Sequence, residues 1–210
     1  MVRSWAVVAL VVLISACQNE THPVFSPSPI PTPRTAPSAA ILQPNDVSAG
    51  LERCTLSGSL DSYISAVEAS DLKLAARWGA AWAEMRSDGA RGGAISIFAA
   101  DTSACSAELG ATTSTKAMAS VVIQFGDVAQ AERAWQAGVF GYTPPAAAQL
   151  QAGMVRGAAT GLGPSSFTYV RPSVRLACWR HSVYVALVVV SNSDQATFQA
   201  ATASIDPRLN

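Results

Sequence analysis

Val183-Tyr184-Val185-Ala186-Leu187-Val188-Val189-Val190 is an unbroken apolar run. It is long enough for a strand and far short of the roughly 20 residues needed to cross a bilayer. β-branched residues dominate it, and a strand that is apolar on both faces must be covered on both, which predicts the central strand of a sheet. Upstream, Arg180-His181-Ser182 reads as a turn, residues 174–179 as a second strand, Pro172 as another turn and residues 167–170 as a third strand. The last third of the chain is therefore a meander. Downstream, Ser193 and Asp194 cap a closing helix with Phe198, Ala201 and Ile205 on its inward side, and Pro207 ends it.

Further back, residues 118–125 read as the clearest strand of the first half, followed by a helix capped by Asp127, with Val128, Ala131 and Trp135 on one face and Gly138 closing it. Residues 95–98 form a short β-rich run after the turn cluster Asp88-Gly89-Ala90-Arg91-Gly92-Gly93, and Asp101 starts a short helix that carries Cys105. Three helices are predicted before that. One follows Asn45/Asp46, with Val47, Leu51 and Cys54 at i, i+4 and i+7; one follows Ser57-Gly58-Ser59, with Leu60, Ile64 and Val67 inward; one opens at Ser70-Asp71, with Leu74, Trp78, Ala81, Trp82 and Met85 at helical spacing. Gly79 costs this last helix ~1 kcal/mol and leaves a strand open as the alternative for its second half. The glycines 153, 157, 161 and 163 predict a turn-rich segment needing permissive dihedrals. The fold class expected is α+β, a single domain with an antiparallel sheet packed with helices.

Of the 210 residues half are apolar and 13% are charged, with Lys plus Arg equal to Asp plus Glu. No basic footprint suits nucleic acid and no run of like charge suggests an electrostatic tail. At the other end of the chain, Arg3 precedes an apolar stretch over residues 5–14 that is too short to remain as an anchor, and Leu13-Ile14-Ser15-Ala16-Cys17 follows. The order of charged segment, apolar segment and box is that of a signal peptide. Its ending resembles the lipobox of bacterial lipoproteins. That resemblance implies a diacylglycerol on the Cys17 thiol, cleavage before Cys17, and acyl chains that hold the mature protein at the extracytoplasmic face of the cell membrane, each buried methylene contributing ~0.8 kcal/mol.

Residues 18–44 contain seven of the twelve prolines. They read as a polyproline-like spacer with a reach of up to ~80 Å at ~3.1 Å per residue. The expected organisation is a signal peptide over 1–16, a lipidated N-terminus and Pro-rich linker over 17–44, and a globular domain over 45–210. With Cys17 taken by lipid, three cysteines remain outside the reducing cytosol. Cys178 alternates with Val174 and Leu176 on one face of a strand and reads as a core hydrophobe. Cys54 and Cys105 lie nearer element ends and are the pair expected to form a disulfide, leaving one thiol. The chain has no CxxC and no His/Cys cluster, so neither metal nor cofactor is expected.

Catalytic constellations are scarce. His181 is the one histidine beyond the spacer, no GxSxG elbow accompanies it, and the acidic residues 61, 68, 71, 84, 108, 127 and 132 fall mainly at helix caps and faces. Gly161-Leu162-Gly163 is half of a dinucleotide fingerprint and leads into a strand where a helix would be needed. The Trp78/Trp82 pair reads as core in preference to a ligand stack. The best candidate for ligand binding is the sheet face on which Arg175 and Trp179 would lie together, presenting a cation beside an aromatic ring.

The features Val122-Ile123-Gln124-Phe125 with Asp127, Ala131 and Trp135, then Gly161-Leu162-Gly163, then Trp179-Arg180 before Val183-Tyr184-Val185, resemble those of uncharacterised secreted bacterial lipoproteins. More distantly they are similar to the extracellular sensor domains of actinobacterial-type Ser/Thr kinases. Pro164 departs from the acidic residue such domains often carry after Gly-Leu-Gly. The resemblance implies a small non-catalytic α+β module and transfers no binding residue. The expected function is a membrane-anchored ligand-binding or sensing lipoprotein for a small apolar or envelope-derived ligand. The alternative is an envelope interaction or structural lipoprotein that contacts a membrane partner, and an enzyme is not expected.

Overall fold

The run 183–190 supplies a strand at the middle of the sheet. Tyr184–Ser191 pairs antiparallel with Ala117–Phe125 on one side and Val174–His181 on the other. Val185, Leu187 and Val189 enter one apolar cluster while Tyr184, Ala186, Val188 and Val190 enter a second on the opposite face. This is why the run shows no polar alternation.

A computed structural model describes residues 34–210. In chain order the elements are α1 (Pro37–Ala40), β1 (Glu52–Arg53), β2 (Gly58–Ser59), α2 (Leu60–Glu68), α3 (Leu72–Ser87), β3 (Ala90–Ala99), β4 (Ala117–Phe125), α4 (Val128–Ala137), β5 (Met154–Arg156), β6 (Ser166–Val170), β7 (Val174–His181), β8 (Tyr184–Ser191) and α5 (Gln195–Ile205), with short 3-10 turns between them. The strands form one antiparallel sheet in the order β1-β3-β4-β8-β7-β6-β5, with β2 also on β3. Helices α2, α3 and α4 cover one face. Helix α5 and the segment around Ala40, Ile41 and Leu42 cover the other. The fold is α+β, as expected.

Local chemistry starts the helices where the sequence placed them. The side chains of Ser59, Asp71, Asp127 and Asp194 accept from the backbone N–H of Ser62, Leu74, Gln130 and Thr197 at 2.8–3.1 Å, each cap being worth ~1 kcal/mol. Helix α3 runs through Gly79 without a break, so the strand alternative for its second half does not hold. The glycines 153, 157, 161 and 163 all have φ between 73° and 95°. Val128, expected inward, is 49% exposed.

Other expectations are overturned. No helix spans residues 47–54: Gly50 has φ +84° and Glu52–Arg53 pair with Ala99 and Phe98. Val47 and Leu51 pack on the α5 side of the sheet while Cys54 lies in the cluster on the other side, so the chain rounds the sheet edge here and the helical spacing was a coincidence. The turn cluster at 88–93 is shorter than expected, because β3 already begins at Ala90. Gly93 belongs to that strand; a Cβ on it would meet Leu60 Cδ1 at 2.4 Å, so its bareness lets α2 seat on the sheet.

Residues 36–44, assigned to the linker on composition, are part of the fold. Ala40, Ile41 and Leu42 are at most 1% exposed. Leu42 N–H donates to buried Ser120 Oγ at 2.8 Å, and Arg208 donates to both carboxylate oxygens of Asp46 at 2.7 Å and to the Ile41 carbonyl. At the top of this strap Tyr184 Oη donates to the Thr35 carbonyl at 2.7 Å and Thr35 N–H to the Asn210 carbonyl at 3.2 Å. The sheet face over β3 and β4 needs a cover that α5 does not reach, and these residues provide it. The signal peptide, Cys17 and the spacer up to residue 33 lie outside the described residues.

Candidate functional site

The side chains at 175, 177 and 179 share a face of β7, the α5 side, yet Arg175 and Trp179 are not an open pair. Trp179 is 0% exposed beneath α5, and its Nε1 donates to Asp206 Oδ1 at 2.9 Å. Arg175 donates to the Ser193 carbonyl and, at 3.3 Å, to Gln195 Oε1, fastening the start of α5. The reason is the closing helix, whose stripe of Phe198, Ala201 and Ile205 had to be buried and took this face.

His181 ends β7, its Nδ1 3.0 Å from Asp206 Oδ1, so one carboxylate holds both His181 and Trp179. Arg180 pairs with Glu132, which also accepts from Ser165 Oγ at 3.0 Å and Gln136 Nε2 at 2.7 Å. Burial works against ionisation of Glu132, and these donors with the Arg180 charge outweigh it, holding the carboxyl below its usual range. Ser165 is thereby a donor to a carboxylate.

The two tryptophans considered as a stack are core. Trp78 stacks on Phe140 with centroids 4.0 Å apart and donates to Glu108 at 2.9 Å; Trp82 donates to Asp61 at 3.0 Å. Burial and the Glu108 charge push the hydroxyls of Tyr63 and Tyr142 up to about 12. Cys54 and Cys105 are joined in a disulfide. Cys178 is free and buried on the Leu176 side of the sheet, and burial pushes its thiol up to about 12. Among the described residues there is no group of three or more His, Cys, Asp and Glu able to hold a metal ion, and no helix long and apolar enough to cross a membrane.

What α5 leaves open is the far end of the same sheet face. Val155 of β5 and Thr168 and Val170 of β6 form the floor of a groove of about 220 Å³. Gln195, Phe198, Gln199 and Thr202 of α5 form one wall, and Thr160 and Leu162 of the Gly-rich turn form the other. The lining carries no charged side chain. Val155 is 38% exposed, while Thr168 sits deep. A wider depression of about 480 Å³ surrounds Lys116, Asn192 and Asp194. There Asn192 Nδ2 donates to the Thr112 and Thr115 carbonyls and Asp194 caps α5.

No family model, curated protein or solved structure matches the chain.

The groove residues had not been singled out from the sequence. β5 is a three-residue strand inside a glycine-rich segment, too short to show a period of two. One signal was present: the strand face that carries Arg175 and Trp179 on β7 is the groove's own face, continued on the next two strands, β6 and β5.

Proposed function

We propose that the protein is a lipid-anchored, non-catalytic recognition module at the extracytoplasmic face of the cell membrane, tethered through an acylated Cys17. It takes an uncharged, envelope-derived ligand along the groove beside α5. The observation that carries this reading is the groove's lining, in which apolar Val155, Leu162, Val170 and Phe198 alternate with neutral Thr160, Thr168, Gln195 and Gln199. Such a surface offers dispersion contacts together with hydroxyl and amide groups that both donate and accept, and it makes no demand for a counter-charge. At about 220 Å³ it is smaller than the ~300–1,000 Å³ pockets that enclose a drug-sized ligand. The ligand therefore lies along the surface, one unit of a longer polymer resting in the groove. The disulfide Cys54–Cys105 supports an oxidising compartment.

The second reading is an interaction lipoprotein that contacts a membrane partner. It draws on Leu72, which is 67% exposed beside a hollow formed with Ile64, Ala75, Ala76 and Glu68. A photo-cross-linking side chain placed at 155 and, separately, at 72 of the full-length protein in its host cells decides between them. Adducts to a non-protein envelope polymer from position 155 are expected. Adducts from 72 alone would replace the first reading by the second. Labelled fatty acid on the wild type but not on Cys17→Ser tests the anchor.

A further inference from the structure

We infer that the α4 side of the sheet edge at β5 and β6, the face turned away from the groove beside α5, binds a phosphate group through Arg156, Arg171 and the indole N–H of Trp135. This site shares no residue with the groove and does not depend on the reading given to it. Two independent features lead there. The first is an unanswered donor. Trp135 is 3% exposed, and among the described residues its Nε1 is buried without a hydrogen-bond partner. An indole nitrogen can only donate, and a buried donor with no acceptor is rare enough in folded proteins to call for a group that is not part of the chain. The side chain laid over this ring is a cation, with Arg156 Cζ 5.8 Å from the ring centroid. A water would satisfy the indole and leave that charge as it is, whereas an anionic oxygen answers both.

The second feature is charge. From residue 134 to residue 171 the chain carries Arg156 and Arg171 and no other charged residue. Among the described residues neither arginine has an ion-pair partner. On the neighbouring α4 the one carboxylate, Glu132, is paired with Arg180, and Arg133 is exposed and adds positive charge. Both guanidiniums reach the same face. Arg156 and Met154 of β5 pair with Phe167 and Tyr169 of β6, which pack on the α4 side, and Arg171 Cζ lies 4.9 Å from the Tyr169 ring centroid. Arg156 gives one Nη to the Pro145 carbonyl and Arg171 gives its Nε to the Tyr169 hydroxyl, so each keeps further N–H groups without a protein acceptor. An aromatic ring under each guanidinium steadies it before any ligand arrives. Two planar cationic forks and one neutral donor suit an oxyanion. A carboxylate has two oxygens and is satisfied by one fork; a phosphate ester brings up to three terminal oxygens and as much as two negative charges, enough to engage both arginines and the indole.

The test uses the 15N-labelled full-length protein in maltoside micelles, which carry no phosphate. The indole N–H signal of Trp135, identified by its loss in Trp135→Phe, is followed during titration with glycerol 3-phosphate and, separately, with phosphatidylglycerol added to the micelles. A saturable shift is expected with at least one of the two, weakening as salt is raised; the soluble probe would point to a phosphate polymer or metabolite and the lipid probe to a headgroup, and either result supports the site. Acetate and the uncharged controls, glycerol and diacylglycerol, should bind at least fivefold more weakly. The phosphate probe should bind at least tenfold more weakly to Arg156→Gln and at least threefold more weakly to Arg171→Gln, which leaves the Trp135 ring and its cover intact and so keeps the test open should Arg156→Gln unfold. A Trp135 signal that moves with neither probe would overturn the site by leaving the indole to a buried water. Equal binding of acetate or of an uncharged control, or unchanged affinity in the arginine variants, would overturn it as well.

Discussion

Leu42→Ala separates a folded strap from a spacer. If residues 36–44 were linker, the change would fall within about ±0.5 kcal/mol, as for exposed positions in general. In the structure Leu42 is 1% exposed and belongs to the cluster that contains Phe98, Met118 and Val122. Truncating a buried leucine costs about 2–5 kcal/mol, the transfer energy of the lost methyl groups plus the cavity they leave. The backbone bond from Leu42 N–H to Ser120 Oγ survives the substitution, so the middle of that range, about 3 kcal/mol, is the expectation. For a folded unit of this size each kcal/mol moves the midpoint by about 2–4 °C, which gives a drop of about 6–12 °C. Thermal unfolding of the full-length protein in detergent, followed by circular dichroism, reads it, with Leu150→Ala, at a side chain 44% exposed, as the control expected to stay within about ±0.5 kcal/mol. A shift of less than 1 °C in Leu42→Ala would refute the reasoning, as would fast amide exchange at Leu42 in the wild type.

The disulfide closes a loop with a sequence separation of 51, for which the chain-entropy relation gives ~4 kcal/mol. Cys54→Ala/Cys105→Ala should therefore melt about 8–16 °C lower, and an unchanged midpoint would show that the bridge contributes nothing to stability. Cys178, buried and with its thiol pushed up to about 12, should resist iodoacetamide at pH 8 until urea unfolds the protein; alkylation at native rates would contradict its burial. Asp46 is held below its ordinary range, because the hydrogen bonds from Arg208 and Gln43 N–H and the Arg208 charge outweigh its burial. A depressed carboxylate contributes stability above the unfolded value near ~4 and loses it as pH falls through the folded value. Urea midpoints measured from pH 6 to pH 2 should thus fall more steeply in the wild type than in Asp46→Asn, and parallel curves would remove Asp46 from the acid response.

Much of the fold was legible because the signals were local. Asp71, Asp127 and Asp194 cap the helices they precede, the 183–190 run is the central strand, the Gly153 to Gly163 segment does need positive φ, and the Cys54–Cys105 pair with a buried Cys178 follows from where each cysteine sits along its element. The strap was not legible. Proline counting averages over residues 18–44 and hides the three residues Ala40, Ile41 and Leu42, whose value depends on Ser120, 78 positions away, and on Arg208, more than 160 away. The helix proposed at 47–54 failed for a related reason. Val47, Leu51 and Cys54 are all apolar and helically spaced, but they serve two cores on opposite faces of one sheet edge. The Arg175/Trp179 face was located correctly as a surface of the sheet and misread as open, because nothing local says where a helix distant along the chain will dock.

The sequence alone determined the periodicities, the caps and the turn chemistry, all properties of residues within a few positions of one another, and where each cysteine sits along its element. Tertiary structure alone decided which apolar face received α5, which received the strap, and what was left uncovered at β5 and β6. The physical reason is that apolar burial has no direction of its own. A stripe such as Phe198, Ala201 and Ile205 requires a cover without specifying one, and the choice is made only when all such stripes compete for the two faces of a single sheet.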